Sequence, residues 1–181
     1  MAALLFPDNT VLVNFALIDR MDLLERLVNG NGQWCATVAS ECHASSLRPE
    51  LAALTEVGAI FGSPLSPDRA EKLDAHLLRD ELAGPGDAPH KHLGEAETIA
   101  IVLRRGLNAF FVTDDREAQR LAGKNGITTV TTWKLLKTAV IVGFLDADTL
   151  WTYVQVLRKS RRGSPPGVHD RPTYDTWLAG T

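Results

Sequence analysis

The chain reads as an α/β protein, a three-layer α/β/α sandwich around a central, mostly parallel sheet. Three observations predict this. A short apolar run at residues 2–7, and short apolar or β-branched segments at 109–113 and 127–130, have the length of strands. Longer stretches, such as 95–104 with Ala96, Ile99, Ala100 and Leu103, carry apolar residues at helical spacing. From Glu95 onward strand and helix alternate, which puts helices on both faces of a parallel sheet.

The elements follow in order. After the strand at 2–7, Val11, Leu12, Phe15 and Leu17 predict a helix, and 19–28 a second one that stops at Asn29-Gly30-Asn31-Gly32. A short strand is expected at 34–36. Thr37 is a fair N-cap for a helix to about 47. Another helix is expected at 49–57 and a short strand at 59–61. Ser66-Pro67 opens a helix to about 82, with a hydroxyl cap followed by proline. The loop Gly84-Pro85-Gly86-Asp87-Ala88-Pro89 leads to the helix at 95–104, which Gly106 ends. After the strand at 109–113, Asp114-Asp115-Arg116 opens a helix to Lys124, stopped by Asn125-Gly126. The last strand follows, then a helix capped by Thr131 or Thr132 and one capped by Asp146 or Asp148. We expect one domain over 1–158 and an extension over 159–181 that is poorly ordered or loosely docked, with Trp177 and Leu178 as its anchors.

Composition narrows the function. The 181 residues are 45% hydrophobic and 23% charged, an ordinary globular composition sufficient for one core. The net charge of -3 excludes a globally basic nucleic-acid binder, so any such site must be local or helped by a cation. Cys35 and Cys42 are too few and wrongly spaced for a disulfide framework or a zinc site, and read as small buried residues. The first residues lack the pattern of a signal peptide, and no apolar run is long enough to span a membrane. These features predict a cytoplasmic protein.

Position separates a few carboxylates from the 22 acidic residues. Parallel sheets place their sites beyond the carboxyl ends of the strands. Asp8 stands just after the first strand, where capping the next helix is its bland role. Asp114 and Asp115 follow the strongest strand; one acid suffices for a cap and the second needs another reason. Glu95 and Glu97 open a helix, where negative charge is favourable; Glu95 lies nearer the buried stripe. Glu41 sits among Ala39, Cys42 and Ala44, small residues that let an acid face a pocket. Several carboxylates in one cleft suit Mg²⁺ or Mn²⁺, which prefer oxygen ligands.

Three stretches together resemble the PIN-domain family. Asp8-Asn9-Thr10-Val11-Leu12 resembles its opening. Leu93-Gly94-Glu95-Ala96-Glu97-Thr98-Ile99-Ala100 is similar to a bacterial and archaeal subgroup with a Gly-Glu-Ala-Glu helix start. Phe111-Val112-Thr113-Asp114-Asp115-Arg116 resembles its last acidic strand end. The resemblance covers about residues 2–158. It implies a metal-dependent ribonuclease with Asp8, Glu41, Glu95 and Asp115 as metal ligands and catalytic residues. Asp114 substitutes for Asp115 or supports it, and Glu97 stands behind the ligands. It further implies an RNA substrate cut by metal-activated water, and for many small members a homodimeric toxin with a cognate antitoxin. The alternatives are a PIN-fold binding or regulatory protein without turnover, and a different hydrolase or receiver-like domain.

Other residues have two readings each. Thr10 and Thr113 orient a ligand or cap a helix, and Asn14, one turn after Thr10, reaches toward the cleft. Arg116 is the first choice for an RNA backbone contact, since phosphate contacts position nucleic acid. Arg158, Lys159, Arg161 and Arg162 form the densest basic run; they guide RNA, bind a partner or simply end a helix. His90-Lys91-His92 is a basic loop before Glu95. Trp133, Leu135, Leu136 and Ile141 exceed one helix face, as in a dimer interface or a central core helix.

Overall fold

The computed structural model describes residues 3–180. Three strands, β1 (Leu4–Pro7), β2 (Ala109–Val112) and β3 (Thr128–Val130), form one parallel sheet in the order β1-β2-β3. The alternating pleat splits the apolar residues between two cores. Phe6 and Phe111 face one side, packed with α5 (Arg69–Leu82), α6 (Leu93–Arg104) and α7 (Arg116–Lys124). Leu5, Val112 and Val130 face the other. There they meet α1 (Asn9–Leu17), α2 (Met21–Val28), α3 (Ala36–Ser46), α8 (Thr132–Ile141) and α9 (Ala147–Lys159). The layered α/β/α arrangement expected from the alternation is the one observed.

Two expected strands are absent from the sheet. Residues 34–36 make only an isolated bridge, Cys35 with Leu65, and Cys35 is already the N-cap of α3. Residues 59–61 lie in a short helix, α4 (Val57–Phe61), after a 3₁₀ segment (Pro49–Glu56). Phe61 is buried there with its ring 6.1 Å from that of Trp34. A three-residue apolar run cannot distinguish a buried strand from a buried helical turn, because both periods fit it. The helix expected from Ser66-Pro67 begins two residues later. Asp68 is its N-cap and makes a reciprocal capping box with Glu71.

The chain does not leave the domain after α9. Residues 171–179 form α10 (Arg171–Ala179), opened by a second capping box between Asp170 and Thr173. Tyr174 is fully buried, its ring 5.0 Å from Trp151 and 5.9 Å from Trp177, and its hydroxyl donates to the Ala147 carbonyl at 2.6 Å. Val168 is buried as well. Loose docking is what a stretch without a long apolar stripe suggests. One aromatic side chain and a capped start hold it instead.

The turn out of α9 matters for the site. Arg161 takes a left-handed conformation (φ 58°), the Arg161 N–H donates to the Arg158 carbonyl, and the Arg162 N–H donates to the Leu157 carbonyl at 2.8 Å. This is a Schellman closure with arginine where glycine is usual. It sends the chain back across the amino end of α1.

Candidate active site

The parallel register sets the site. Pro7 pairs with Val112, so Asp8 and Thr113 emerge side by side at the carboxyl ends of β1 and β2. The Asp8 N–H donates to the Val112 carbonyl and the Thr113 N–H to the Val130 carbonyl, each at 2.9 Å. Asp8 is buried, and both its oxygens are engaged. Oδ1 accepts from the backbone N–H groups of Thr10 (2.6 Å) and Val11 (3.1 Å) and from the Thr10 hydroxyl; Oδ2 accepts from the Thr113 hydroxyl. Asp8 therefore caps α1, and the two threonines fix its carboxylate rather than waiting for a ligand themselves.

The Gly94-Glu95-Ala96-Glu97 motif resolves residue by residue. Ala96 is core. Glu97 is buried and accepts from the Thr37 N–H (3.0 Å) and hydroxyl (2.7 Å). Cys35 offers α3 no side-chain cap, so Glu97 supplies that cap from another helix. Glu41 lies one turn beyond Thr37 on the same helix face. A Cβ at Gly94 would come within 3.1 Å of both the Glu41 Oε2 and the Val38 Cγ2, so glycine is what lets α3 and Glu41 close on α6. Glu95 is half-buried, with one oxygen 3.6 Å from the His92 Nδ1.

Asp8, Glu41 and Glu95 are thereby brought near one another. Burial first, and then the charge of Glu95, push the Asp8 carboxyl up to about 6, against its bonds from Thr10, Thr113 and Val11. Burial, followed by the charges of Glu95, Asp8 and Glu97, pushes Glu41 up to about 7. Asp114 and Asp115 divide their duties. Asp115 Oδ1 caps α7 through the Ala118 N–H at 2.8 Å. Asp114 accepts from the Thr132 N–H (2.8 Å), the Thr132 hydroxyl (2.6 Å) and Asn14 Nδ2 (2.9 Å). The second acid thus ties α8 and α1 to the end of β2. That reason is tertiary and leaves no mark in the motif.

Asn14 is buried and also accepts from Arg162 Nε at 2.7 Å, while Arg162 Nη2 donates to the Thr10 carbonyl at 2.9 Å. Thr132 and Thr37 complete these networks; the sequence offers them only as helix caps, positions that Thr131 and Cys35 occupy instead. Their only signal in the sequence is a hydroxyl beside a helix start. Arg162 is visible as part of a basic run, without its destination. In the loop before α6, Lys91 pairs with Asp87 at 2.7 Å, and His92 occupies the N-cap position of α6 in a left-handed conformation (φ 65°) without a side-chain bond to the helix. Trp133, Leu135 and Leu136 are core, whereas Ile141 is 71% exposed.

Among the described residues, no three His, Cys, Asp or Glu side chains gather closely enough to form a ready metal-binding group. The donor set still suits a hard cation. It consists of carboxylates alone, and the charge of Glu95 raises the cost of ionising Asp8 and Glu41. Mg²⁺ commonly takes one or two carboxylates and keeps several waters, so three converged side chains are not required.

The raised carboxyls make stability depend on pH. Asp8 and Glu41 have folded-state pKa values above their ordinary ones, so the folded chain binds more protons than the unfolded chain between about pH 4 and 7. The stability these two groups contribute in EDTA is therefore full below about pH 4 and is lost as pH rises to about 7. The expected loss from these groups is about 2 kcal/mol, less than two independent shifts would yield because the pair is coupled and Glu41 is half-exposed. Urea unfolding of wild type and Glu41→Gln, compared from pH 5 to 8, checks this; the variant should show a shallower decline. Gly94→Ala tests the close approach. Overpacking of about 1–3 kcal/mol is partly offset by up to about 1 kcal/mol of helix propensity. The expected result is a modest stability change with Glu41 displaced, read as a changed pH slope in the same assay.

A family model described as a PIN domain matches residues 6–170. No curated protein matches the chain. PIN domains are nuclease-type domains that typically use divalent metals. The matched span holds the acid-bearing ends of β1 and β2, the Gly94-Glu95-Ala96-Glu97 helix start and the turn that carries Arg162, and with it the chain belongs to the PIN-domain family.

Proposed function

We propose that this chain is a Mg²⁺- or Mn²⁺-dependent endoribonuclease. The observation that carries the reading is a buried Asp8 at the carboxyl end of β1, in a nuclease-type domain, with Glu95 of α6 and Glu41 of α3 near enough for the charge of Glu95 to bear on both other acids. Asp8 and Glu95 would hold the ion, with Glu41 and the outer oxygen of Asp115 completing its shell. A divalent cation so held lowers the pKa of water and neutralises charge developing on a phosphodiester. The protein's own part is positioning. Thr10 and Thr113 fix the Asp8 carboxylate, Glu97 anchors the start of α3 so that Glu41 faces the cleft, and the cap on α7 orients Asp115.

A binding protein without turnover is the second reading, favoured by the lack of a three-ligand group among the described residues. One experiment separates them. Single-stranded RNA is incubated with the full chain in Mg²⁺, in Mn²⁺ and in EDTA. The expected result is cleavage to 5′-phosphate and 3′-hydroxyl ends with metal, stopped by EDTA and restored by Mn²⁺. Intact RNA in both metals, with folded protein in excess, would overturn the nuclease reading.

A further inference from the structure

Beside Asp114 lies a cavity of about 230 Å³, bounded by Asp114, Arg116, Gln119, Thr131, Arg162 and Ser164. Asp114 contributes a carboxylate whose oxygens already accept three hydrogen bonds. Against it stand two guanidinium groups. Arg116 is exposed, and the neighbouring acid Glu117 is committed to Arg120 at 2.9 Å. Arg162 spends Nε and Nη2 on Asn14 and the Thr10 carbonyl, which leaves Nη1 without a bond to the described residues. Gln119 is steadied by its own bond to the Thr113 carbonyl at 2.9 Å.

The backbone supports the same reading. Arg161 occupies a left-handed conformation that glycine adopts more easily. That turn, and the fully buried Tyr174 beyond it, bring Arg162 back against α1. Its guanidinium is half-buried and fixed at two points, so little ordering remains when it meets an anion. Arginine forks match phosphate oxygens in two parallel bonds.

We propose that Arg116 and Arg162 form a phosphate subsite that receives a backbone phosphate of single-stranded RNA beside the bond to be cut. The tail beyond α9 is then part of the substrate site. This rests on the nuclease reading for the identity of the substrate, and its test does not depend on cleavage. A labelled single-stranded oligoribonucleotide is titrated against the full chain carrying Asp8→Asn, in EDTA, over a series of salt concentrations. Adding Arg116→Ala should weaken binding about tenfold and reduce the slope of log K against log salt by about 0.7, the loss of one phosphate contact on a single strand. Arg162→Gln should do the same. Arg116→Lys should restore the slope while recovering only part of the affinity.

Arg116 is exposed and holds no part of the fold, so its variant keeps the test decisive even if Arg162→Gln unfolds. Unchanged affinity and slope in folded Arg116→Ala would overturn the subsite. Displacement of the RNA by micromolar inorganic phosphate would also overturn it, in favour of a site for the free ion. If the unmutated chain never cleaves RNA but binding still depends on both arginines, the nuclease reading fails and the subsite stands. Normal cleavage kinetics in Arg116→Ala and Arg162→Gln would instead remove the subsite and leave the nuclease reading in place.

Discussion

Asp8→Asn should reduce RNA cleavage by about a thousandfold or more while leaving the protein folded and, at pH 8 in EDTA, more stable than wild type. The two effects share one cause. The Asp8 carboxylate is buried, its pKa raised to about 6 chiefly by desolvation, with Glu95 adding to the shift. Below its ordinary value of 3.8 the acid is neutral folded or unfolded; as pH rises through 6 the folded chain must carry the charge, and stability is lost. Asparagine has the same shape and no charge. Its oxygen keeps the bonds from Thr10 and Val11, and its amide meets a Thr113 hydroxyl able to turn and accept. A gain of about 1 kcal/mol at pH 8 is expected, vanishing near pH 4. Urea unfolding at the two pH values and a gel assay with Mn²⁺ read the two sides. Retained cleavage would remove Asp8 from the chemistry, and a large stability loss would mean that the helix cap, not the site, is its main duty.

Tyr174→Ala should destabilise the domain by about 4 kcal/mol, a large part of a typical margin of about 5–15 kcal/mol. Its ring is fully buried between Trp151 and Trp177, and its hydroxyl satisfies the Ala147 carbonyl. Tyr174→Phe keeps the ring and should cost only about 1 kcal/mol. Around α10, Arg171 reaches Asp148 at 2.6 Å, and Lys137 Nζ donates to the Trp177 carbonyl at 2.9 Å. Both are exposed or part-exposed contacts that contribute little by themselves. The aromatic plug therefore dominates. A near-neutral Tyr174→Ala, measured by urea unfolding, would show the tail to be dispensable. Because the same tail carries Arg162, the alanine variant should also bind RNA more weakly wherever it remains folded.

The candidate acids are legible in unequal degree. Asp8 and the Asp114-Asp115 pair stand where any parallel sheet puts its site, immediately after an apolar strand, so strand ends suffice to find them. Glu95 is legible from its helix start. Glu41 is not legible from its own neighbours, because its approach depends on Gly94 in another helix and on a cap supplied by Glu97. The strands expected at 34–36 and 59–61 fail for a related reason. Three apolar residues carry no period, and their partners, Leu65 and Trp34, are set by packing.

Local pattern is enough for the parallel sheet, its helical layers and the acids at its strand ends, because burial imposes a period of two or of 3.6 on neighbouring residues. It is not enough for the duties of those acids. Whether Asp114 faces a ligand or anchors α8, and whether Arg162 trails in solvent or crosses to Asn14, depends on residues 18 and 148 positions away. Contacts at that separation form only when the two cores close, and nothing in a residue's immediate sequence records them.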